Sequence, residues 1–324
     1  MKLDAASAYA LQCRMRNRFP LIAFLVLLFA ASPALAQNFT ELPRAFEVRG
    51  YPGQGDFQFV TAVALDRTDN TVTLLAGPPA GLFTFDADTG AALKFTPLEK
   101  ALEPPAVMWR CGGPTVILTR AGFLAIGPDG LPVKDFTPPE HIPDALSRAV
   151  CAPSGELVFF DSANARIHAI ARNQELKFVI GGQAGDKPLP RDAALLAPAD
   201  GALDAVGELY VLEGKTGAVK RYSHRGEFRR VVVRRNSMDA SVRLSRPALL
   251  AVDLQTRIWL FDQGDMSLKV YDDFGYLKYF ITNTDRDGFL FQEPQWMSVS
   301  RDNRLLLLDT AVPVLRAFDL NTLP

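Results

Sequence analysis

Four acidic residues occupy matching positions in successive stretches of the sequence. Each follows a short apolar run, and they are Asp161, Glu213, Asp262 and Asp309. Convergent carboxylates would form a ring of ligands for a metal ion. The alternative is that each carboxylate accepts backbone N–H groups at the end of its own strand, as acidic residues do in many turns. Repetition from one stretch to the next favours capping, and we therefore predict no metal ion and no cofactor.

Positive charge is concentrated in one part of the chain. Six arginines fall between residues 229 and 246, namely Arg229, Arg230, Arg234, Arg235, Arg243 and Arg246. Guanidinium groups bind carboxylate and phosphate through paired hydrogen bonds. The cluster, with Arg234, Arg235, Arg243 and Arg246 at its centre, therefore indicates a surface for an anionic partner, and the alternative is a solvated strand with a flexible loop. Asp285 and Arg286, in a second loop expected on the same face, are further candidate binding residues.

The sequence contains no recognisable catalytic set. Its three histidines, His141, His168 and His224, are far apart in the sequence, whereas a zinc site needs three or four convergent ligands. HExxH, GxSxG, P-loop and haem-attachment motifs are all missing from the sequence. The acidic loop from Asp285 to Gly288 lacks the further oxygen ligands of a calcium loop, and we interpret it as a plain connection.

The first 36 residues have the pattern of a secretory signal peptide. Residues 21–31 are apolar and uncharged, arginines precede them, and a small-residue cleavage site ends at Ala36. The apolar run is shorter than the roughly 20 residues that span a bilayer. We expect cleavage near Ala36, a mature chain without a transmembrane span and a periplasmic or secreted location. An uncleaved anchor is the alternative, and translation can start at Met1 or Met15.

Two cysteines, Cys111 and Cys151, follow the leader. An even pair in an exported chain permits one disulfide, provided that the two Cα atoms lie within about 7 Å. Both cysteines fall at nearly matching points of neighbouring repeats, which favours proximity. Two buried free thiols are the alternative.

A repeat of four strands organises the whole sequence after the leader. Its most regular mark is a large apolar residue at intervals of 41 to 52 residues, found at Phe85, Ile126, Ile170, Tyr222, Tyr271 and Phe318. This period is close to that of a four-stranded propeller blade. Each unit also has Gly-rich turns and lacks helical periodicity, apart from a possible single turn at 191–196.

The last unit has no fourth strand, because only six residues follow Phe318. Residues 44–50 form a spare strand before the first unit. If this strand completes the last blade, the ring closes and no blade edge is left open. We therefore predict an all-β, six-bladed propeller of four-stranded antiparallel blades over residues 37–324, after a leader at 1–36.

The repeats resemble those of the NHL-repeat family, of the secreted bacterial type. The stretch 193–213 reads AALLAPADGALDAVGELYVLE, and 293–309 reads EPQWMSVSRDNRLLLLD. Both are similar to the family pattern of a Pro-containing first strand followed by a Gly-Asn-Leu-Tyr-Val-Ala-Asp-like second strand. The resemblance implies a six-bladed propeller, a fold that hosts binding scaffolds and enzymes alike.

The near-neutral charge of −1 argues against a dedicated nucleic-acid binder. We expect an exported, monomeric, non-catalytic propeller that binds another protein or an envelope component through the loops 182–198, 234–247 and 282–294. The alternative is a lactonase- or lyase-like propeller enzyme with a carboxylate site at the central channel, for which Asp204 with Asp253 is the best candidate. A purely architectural envelope component is a third possibility.

Overall fold

The structure is a computed structural model that describes residues 37–39, 42–98, 107–181, 192–235, 243–285 and 288–323. The leader at 1–36 lies outside the described residues. Four short strands precede the first blade, and they are β1 (Gln37–Phe39), β2 (Arg44–Val48), β3 (Gly50–Tyr51) and β4 (Gly55–Asp56).

Six sheets follow, and they form the blades of a propeller. The strands of each blade are given from the innermost outwards: blade one has β5 (Phe59–Asp66), β6 (Thr71–Gly77), β7 (Gly81–Asp86) and β8 (Ala92–Pro97), and blade two has β9 (Val107–Trp109), β10 (Thr115–Thr119) and β11 (Gly122–Ile126). Blade three has β12 (Leu146–Cys151), β13 (Leu157–Asp161), β14 (Arg166–Ile170) and β15 (Leu176–Gly181), and blade four has β16 (Pro198–Leu203), β17 (Leu209–Glu213), β18 (Val219–Tyr222) and β19 (Phe228–Val233). Blade five has β20 (Pro247–Val252), β21 (Ile258–Asp262), β22 (Ser267–Tyr271) and β23 (Leu277–Ile281), and blade six has β26 (Pro294–Val299), β27 (Arg304–Asp309) and β28 (Val314–Asp319). A small hairpin, β24 (Thr284–Asp285) with β25 (Gly288–Phe289), separates blades five and six, and a 3-10 helix (Leu320–Thr322) follows β28.

The all-β, six-bladed architecture confirms the prediction from the repeat. The middle strands of the blades are apolar on both faces, because each blade is packed between two others. In β27, for example, the run from Leu305 to Leu308 is buried throughout. Between blades five and six, side chains such as Trp259 and Met297 form one continuous apolar cluster.

The ring is closed as predicted, because β2 pairs with β28 in an antiparallel register. This strand from the start of the described chain is the fourth strand of blade six. The sequence did not indicate that β1 would add a further strand to blade five, where Gln37 lies opposite Tyr279 in a parallel pairing.

Blade two differs from the prediction, since the expected outer strand at 131–136 is not formed. A single bridge joins Ile126 to Pro132. The backbone bonds on either side of this bridge run from the N–H of Gly127 to the carbonyl of Leu131 and from the N–H of Val133 to the carbonyl of Ala125, and the chain then turns away at residues 134–135. The helical turn expected at 191–196 is likewise absent from its described part, 192–196, which contains only a non-helical turn.

The connections of the blades meet at two opposite ends. The links between blades and the turns between second and third strands lie at one end, which we call the loop face. The turns between first and second strands and between third and fourth strands lie at the other, the hairpin face. Across the described residues, no helix has the length and apolarity needed to cross a membrane.

Candidate functional site: a cationic groove on the loop face

The repeated acidic residues fix the backbone of the loop face. Three of them accept backbone N–H groups from the loop that leads into their own blade. Glu213 accepts the N–H of Leu196, Asp262 accepts those of Ser245 and Arg246, and Asp309 accepts those of Gln292 and Glu293. Asp161 accepts the N–H of Asn164 in its own turn. These hydrogen bonds confirm the capping interpretation.

Beneath one of these loops lies a fully buried lysine, Lys269. Its Nζ is 2.8 Å from Asp262 Oδ2 and 2.6 Å from Asp265 Oδ2, and it donates to the carbonyl of Arg243 at 2.9 Å. Burial alone would raise the pKa of Asp262, but the hydrogen bonds from Lys269 and from three backbone N–H groups outweigh burial and lower it. Asp262 and Lys269 therefore hold the loop at 243–246 in place, the first through its backbone N–H groups and the second through the carbonyl of Arg243.

The same spacing occurs in other blades. A basic residue follows each acid by seven positions, giving the pairs Asp161/His168, Glu213/Lys220, Asp262/Lys269 and Asp309/Arg316. His168 Nδ1 contacts the carbonyl of His141 at 2.8 Å, and Lys220 donates to the carbonyl of Ala194. This spacing is a sequence signal that would have identified the basic partners, which the sequence analysis missed.

An open groove of about 690 Å³ lies above Lys269. It is lined by Lys215, Thr216, Arg235, Arg243, Leu244, Ser245 and Asp265, and we call it the cationic groove. Arg235 donates from Nε to the carbonyl of Leu244 at 3.2 Å and from Nη2 to that of Ser245 at 2.6 Å. These two bonds fix the guanidinium plane against the groove wall.

The charge balance of the cationic groove is positive. Within the described residues, the exposed side chains of Lys215 and Arg243 make no hydrogen bond or ion pair, and Arg235 is bonded only to carbonyl groups. The one acid in the lining, Asp265, shares the single charge of Lys269 with Asp262, so these three groups together carry one negative charge. Lys215, Arg235 and Arg243 add three positive charges, and the resulting net charge of +2 suits an anionic ligand.

The structure brings together part of the predicted binding cluster. Arg235 and Arg243 share the groove, whereas Arg234 pairs with Asp192 at 2.9 Å, where both are exposed. Arg246 is exposed and does not line the groove. Arg286 and the side chain of Asp285 lie outside the described residues.

Lys215 was missed by the sequence analysis. It lies in the turn between β17 and β18, on the same face as the loop that carries Arg243. The rule that second-to-third-strand turns share a face with the inter-blade loops would have identified it.

The central channel is filled by arginine side chains. Arg148 forms an ion pair with Asp200 at 2.8 Å, donates to the carbonyl of Met297 at 3.2 Å and lies over the ring of Trp296. Arg67 donates to the carbonyl of Leu203 on the other side of the ring at 2.7 Å. A cavity beside these two arginines measures about 20 Å³, enough for roughly one water molecule.

The two channel acids proposed from the sequence, Asp204 and Asp253, are engaged in their own turns. Asp253 accepts from Trp259 Nε1 at 2.9 Å and from Arg257 Nε at 2.6 Å, besides two backbone N–H groups. Asp204 Oδ1 accepts the N–H groups of Val206 and Glu208. Asp204 Oδ2 is buried without a hydrogen bond among the described residues, and burial raises the pKa of this carboxyl.

A disulfide joins blades two and three at the hairpin face. It links Cys111, two residues beyond the end of β9, to Cys151, the last residue of β12, and the two Cα atoms are 5.4 Å apart. It therefore connects blade two, which lacks an outer strand, to its neighbour.

No protein-family model matches the chain, and no curated protein sequence is significantly similar to it. Among solved structures, regucalcin, a calcium-binding protein from Agrobacterium tumefaciens, is 13% identical with a TM-score of 0.53, covering 86% of this chain and 95% of its own. The β-propeller domain of Cps50 (Swd1) from Myceliophteria thermophila is 11% identical with a TM-score of 0.50, covering 81% and 83%. Virginiamycin B lyase from Staphylococcus aureus is 13% identical with a TM-score of 0.48, covering 84% and 87%.

At these identities the similarity concerns the fold alone. Regucalcin and Cps50 share the propeller architecture with this chain, and the resemblance of the repeats to the NHL-repeat family is not confirmed by a family model. The comparisons therefore place the chain among β-propellers and assign it to no family.

Proposed function

We propose that this protein is an exported, non-catalytic binding module that holds an acidic segment of a partner protein in the cationic groove. The observation that carries the proposal is the trio of Lys215, Arg235 and Arg243, which line one groove and, among the described residues, form no ion pair with a carboxylate. An extended acidic segment would place carboxylates against these three cations.

The groove is suited to binding because its walls are held in place before a ligand arrives. Asp262 and Lys269 hold the loop that carries Arg243 and Ser245, and Arg235 is fixed by two carbonyl groups. A ligand therefore does not have to order this wall, which lowers the entropic cost of binding.

The channel offers less support for catalysis. Substrate pockets usually measure several hundred Å³, whereas the channel cavity measures about 20 Å³. Asp253 has no oxygen free to act as a base. One observation favours the enzymatic alternative, namely the unbonded Asp204 Oδ2 with its raised pKa, and Asp204→Asn would remove activity on lactones or esters if this group were catalytic.

The groove is tested with a fluorescein-labelled decaglutamate peptide, titrated by fluorescence polarisation over a series of salt concentrations. The variant Lys215→Glu/Arg243→Glu alters two exposed side chains that make no hydrogen bond or ion pair with a described residue, so the fold should be retained. The matched control is Arg225→Glu/Arg229→Glu, which reverses two exposed charges on blade four away from the groove.

We expect the groove variant to weaken binding at least tenfold and the control to bind like the wild type, with affinity falling as salt rises. Equal weakening by both variants would mean unspecific attraction and would contradict the proposal, as would a lack of binding to the wild type.

Export is tested by a separate experiment. Mass spectrometry of the protein recovered from a periplasmic fraction should show Gln37 as the first residue.

A further inference from the structure

A second concave site lies between blades one and two, on the opposite side of the ring from the cationic groove. It is a cleft of about 170 Å³, and four threonines line it: Thr71, Thr84, Thr96 and Thr115. The apolar cluster between these two blades, which includes Leu82 and Ile126, lies beside the threonines. Apolar packing alone does not explain why four threonines line this cleft.

Two of the four hydroxyl groups are already bonded within the protein. Thr71 donates to Asp69 at 2.6 Å, and the hydroxyl oxygen of Thr84 is 3.1 Å from that of Thr73. Thr96 and Thr115 make no hydrogen bond with any described residue, although each is only 6% exposed. Neither hydroxyl oxygen is a buried group without a partner, so both open into the cleft, where the hydroxyl groups of a ligand can bond to them.

The remaining walls are apolar. Leu82 and Ile126 are buried beside the threonines, and Leu93 is exposed at the rim. A cleft with hydroxyl groups on one side and aliphatic groups on the other fits a polyhydroxylated carbon skeleton, whose C–H groups pack on the aliphatic wall while its hydroxyls pair with the threonines.

One positive charge at the cleft is available to a ligand. Lys94 donates one N–H to the carbonyl of Pro128, and an ammonium group has two more to offer. Arg110 also lines the cleft, but it is shared between two carboxylates, Asp66 at 3.4 Å and Asp69 at 2.8 Å. Among the described residues, Lys94 is therefore the lining cation without a carboxylate partner, and it can pair with a single carboxylate of a ligand.

We propose that this cleft binds a small hydroxylated monocarboxylate of monosaccharide size, such as a sugar acid. Its volume equals that of about six water molecules at roughly 30 Å³ each, which excludes longer oligomers from the cleft itself. The carboxylate pairs with Lys94, and the hydroxyl groups bond to Thr96 and Thr115. The inference is independent of the cationic groove, with which the cleft shares no residue.

The experiment measures binding of D-glucuronate, D-glucose and D-glycerate to the full chain by isothermal titration calorimetry and ligand-observed NMR. D-glucose tests the need for a carboxylate, and D-glycerate separates a sugar ring from a short hydroxy acid. The variants are Lys94→Met and the nearly isosteric Thr96→Val/Thr115→Val. The control is Thr119→Val, at the far end of the strand that begins with Thr115.

We expect D-glucuronate to bind with millimolar affinity, and D-glucose and D-glycerate at least tenfold more weakly. Lys94→Met should abolish the preference for D-glucuronate over D-glucose, and the double threonine variant should weaken D-glucuronate at least tenfold while Thr119→Val leaves it unchanged. Failure of D-glucuronate to bind the wild type overturns the proposal. Binding of D-glucuronate that is unchanged in Thr96→Val/Thr115→Val as well as in Thr119→Val also overturns the proposal, because the ligand would then be bound elsewhere.

Discussion

Arg316 of β28 lies directly opposite Glu47 of β2, and its Nε is 3.0 Å from Glu47 Oε1. This ion pair joins the last full strand of the chain to the strand that completes its blade. Arg44 and Arg49 contact the same carboxylate, at 3.3 and 3.0 Å. The point where the propeller closes is therefore marked by one acid shared among three arginines.

Glu47→Gln should weaken this closure. Burial alone would raise the pKa of Glu47, but Arg44, Arg316 and Arg49 outweigh burial and lower it below its ordinary value of 4.5. A carboxylate whose folded pKa is lowered stabilises the fold above the ordinary value, and that contribution is lost as pH falls through the lowered pKa. We expect a loss of about 0.5–1 kcal/mol at pH 7 that vanishes at strongly acidic pH, measured by urea unfolding. Glu227→Gln, which removes an exposed pair with Arg229, is the control and should change little.

Lys269→Met should be far more damaging than other lysine substitutions. It leaves the buried Asp262 carboxylate without its cation, and removal of one partner from a buried pair costs about 3–5 kcal/mol. Lys278→Met, which breaks an exposed pair with Asp272, should cost no more than about 1 kcal/mol. Equal unfolding midpoints for the two variants would show that the buried pair does not hold the loop at 243–246.

Removal of the disulfide should destabilise the whole propeller. The two cysteines are 40 residues apart, and the chain-entropy model assigns a loop of that length about 4 kcal/mol as an upper value. We expect Cys111→Ala/Cys151→Ala to unfold at lower denaturant concentration, and reductant to move the wild type towards the variant. Reductant should not affect the variant itself, and a wild type insensitive to reductant would contradict the prediction.

Arg148→Met should make stability depend more strongly on pH. Burial raises the pKa of Asp200, and Arg148 opposes that rise, so its removal raises the pKa further. A carboxyl with a raised folded pKa binds its proton more tightly in the folded state, and stability therefore falls as pH rises from the ordinary 3.8 through the raised value. We expect a loss of about 3 kcal/mol at pH 7 and a smaller one near pH 4, measured by denaturant unfolding. Arg148→Met/Asp200→Asn should recover part of the loss, and a loss that does not vary with pH would contradict the assignment.

Much of the fold is visible in the amino-acid sequence, because the signals of a propeller are local. Alternating strands, Gly turns and the recurring acids each depend on residues close together in the chain, and the period of the repeat predicts the blades. The missing fourth strand after Phe318 and the spare one at 44–50 even predict the closure, which the pairing of β2 with β28 confirms.

The sites depend instead on which residues meet across blades. Arg67 bonds to Leu203 and Arg148 to Met297, pairs that are distant in the sequence, and these contacts lie in the channel where the alternative hypothesis placed a carboxylate site. Lys215 joins Arg235 and Arg243 only because two blades lie side by side. The sequence alone determines the blades, since local pattern selects strands and turns, whereas the tertiary structure decides which charges are buried in pairs and which are left facing solvent.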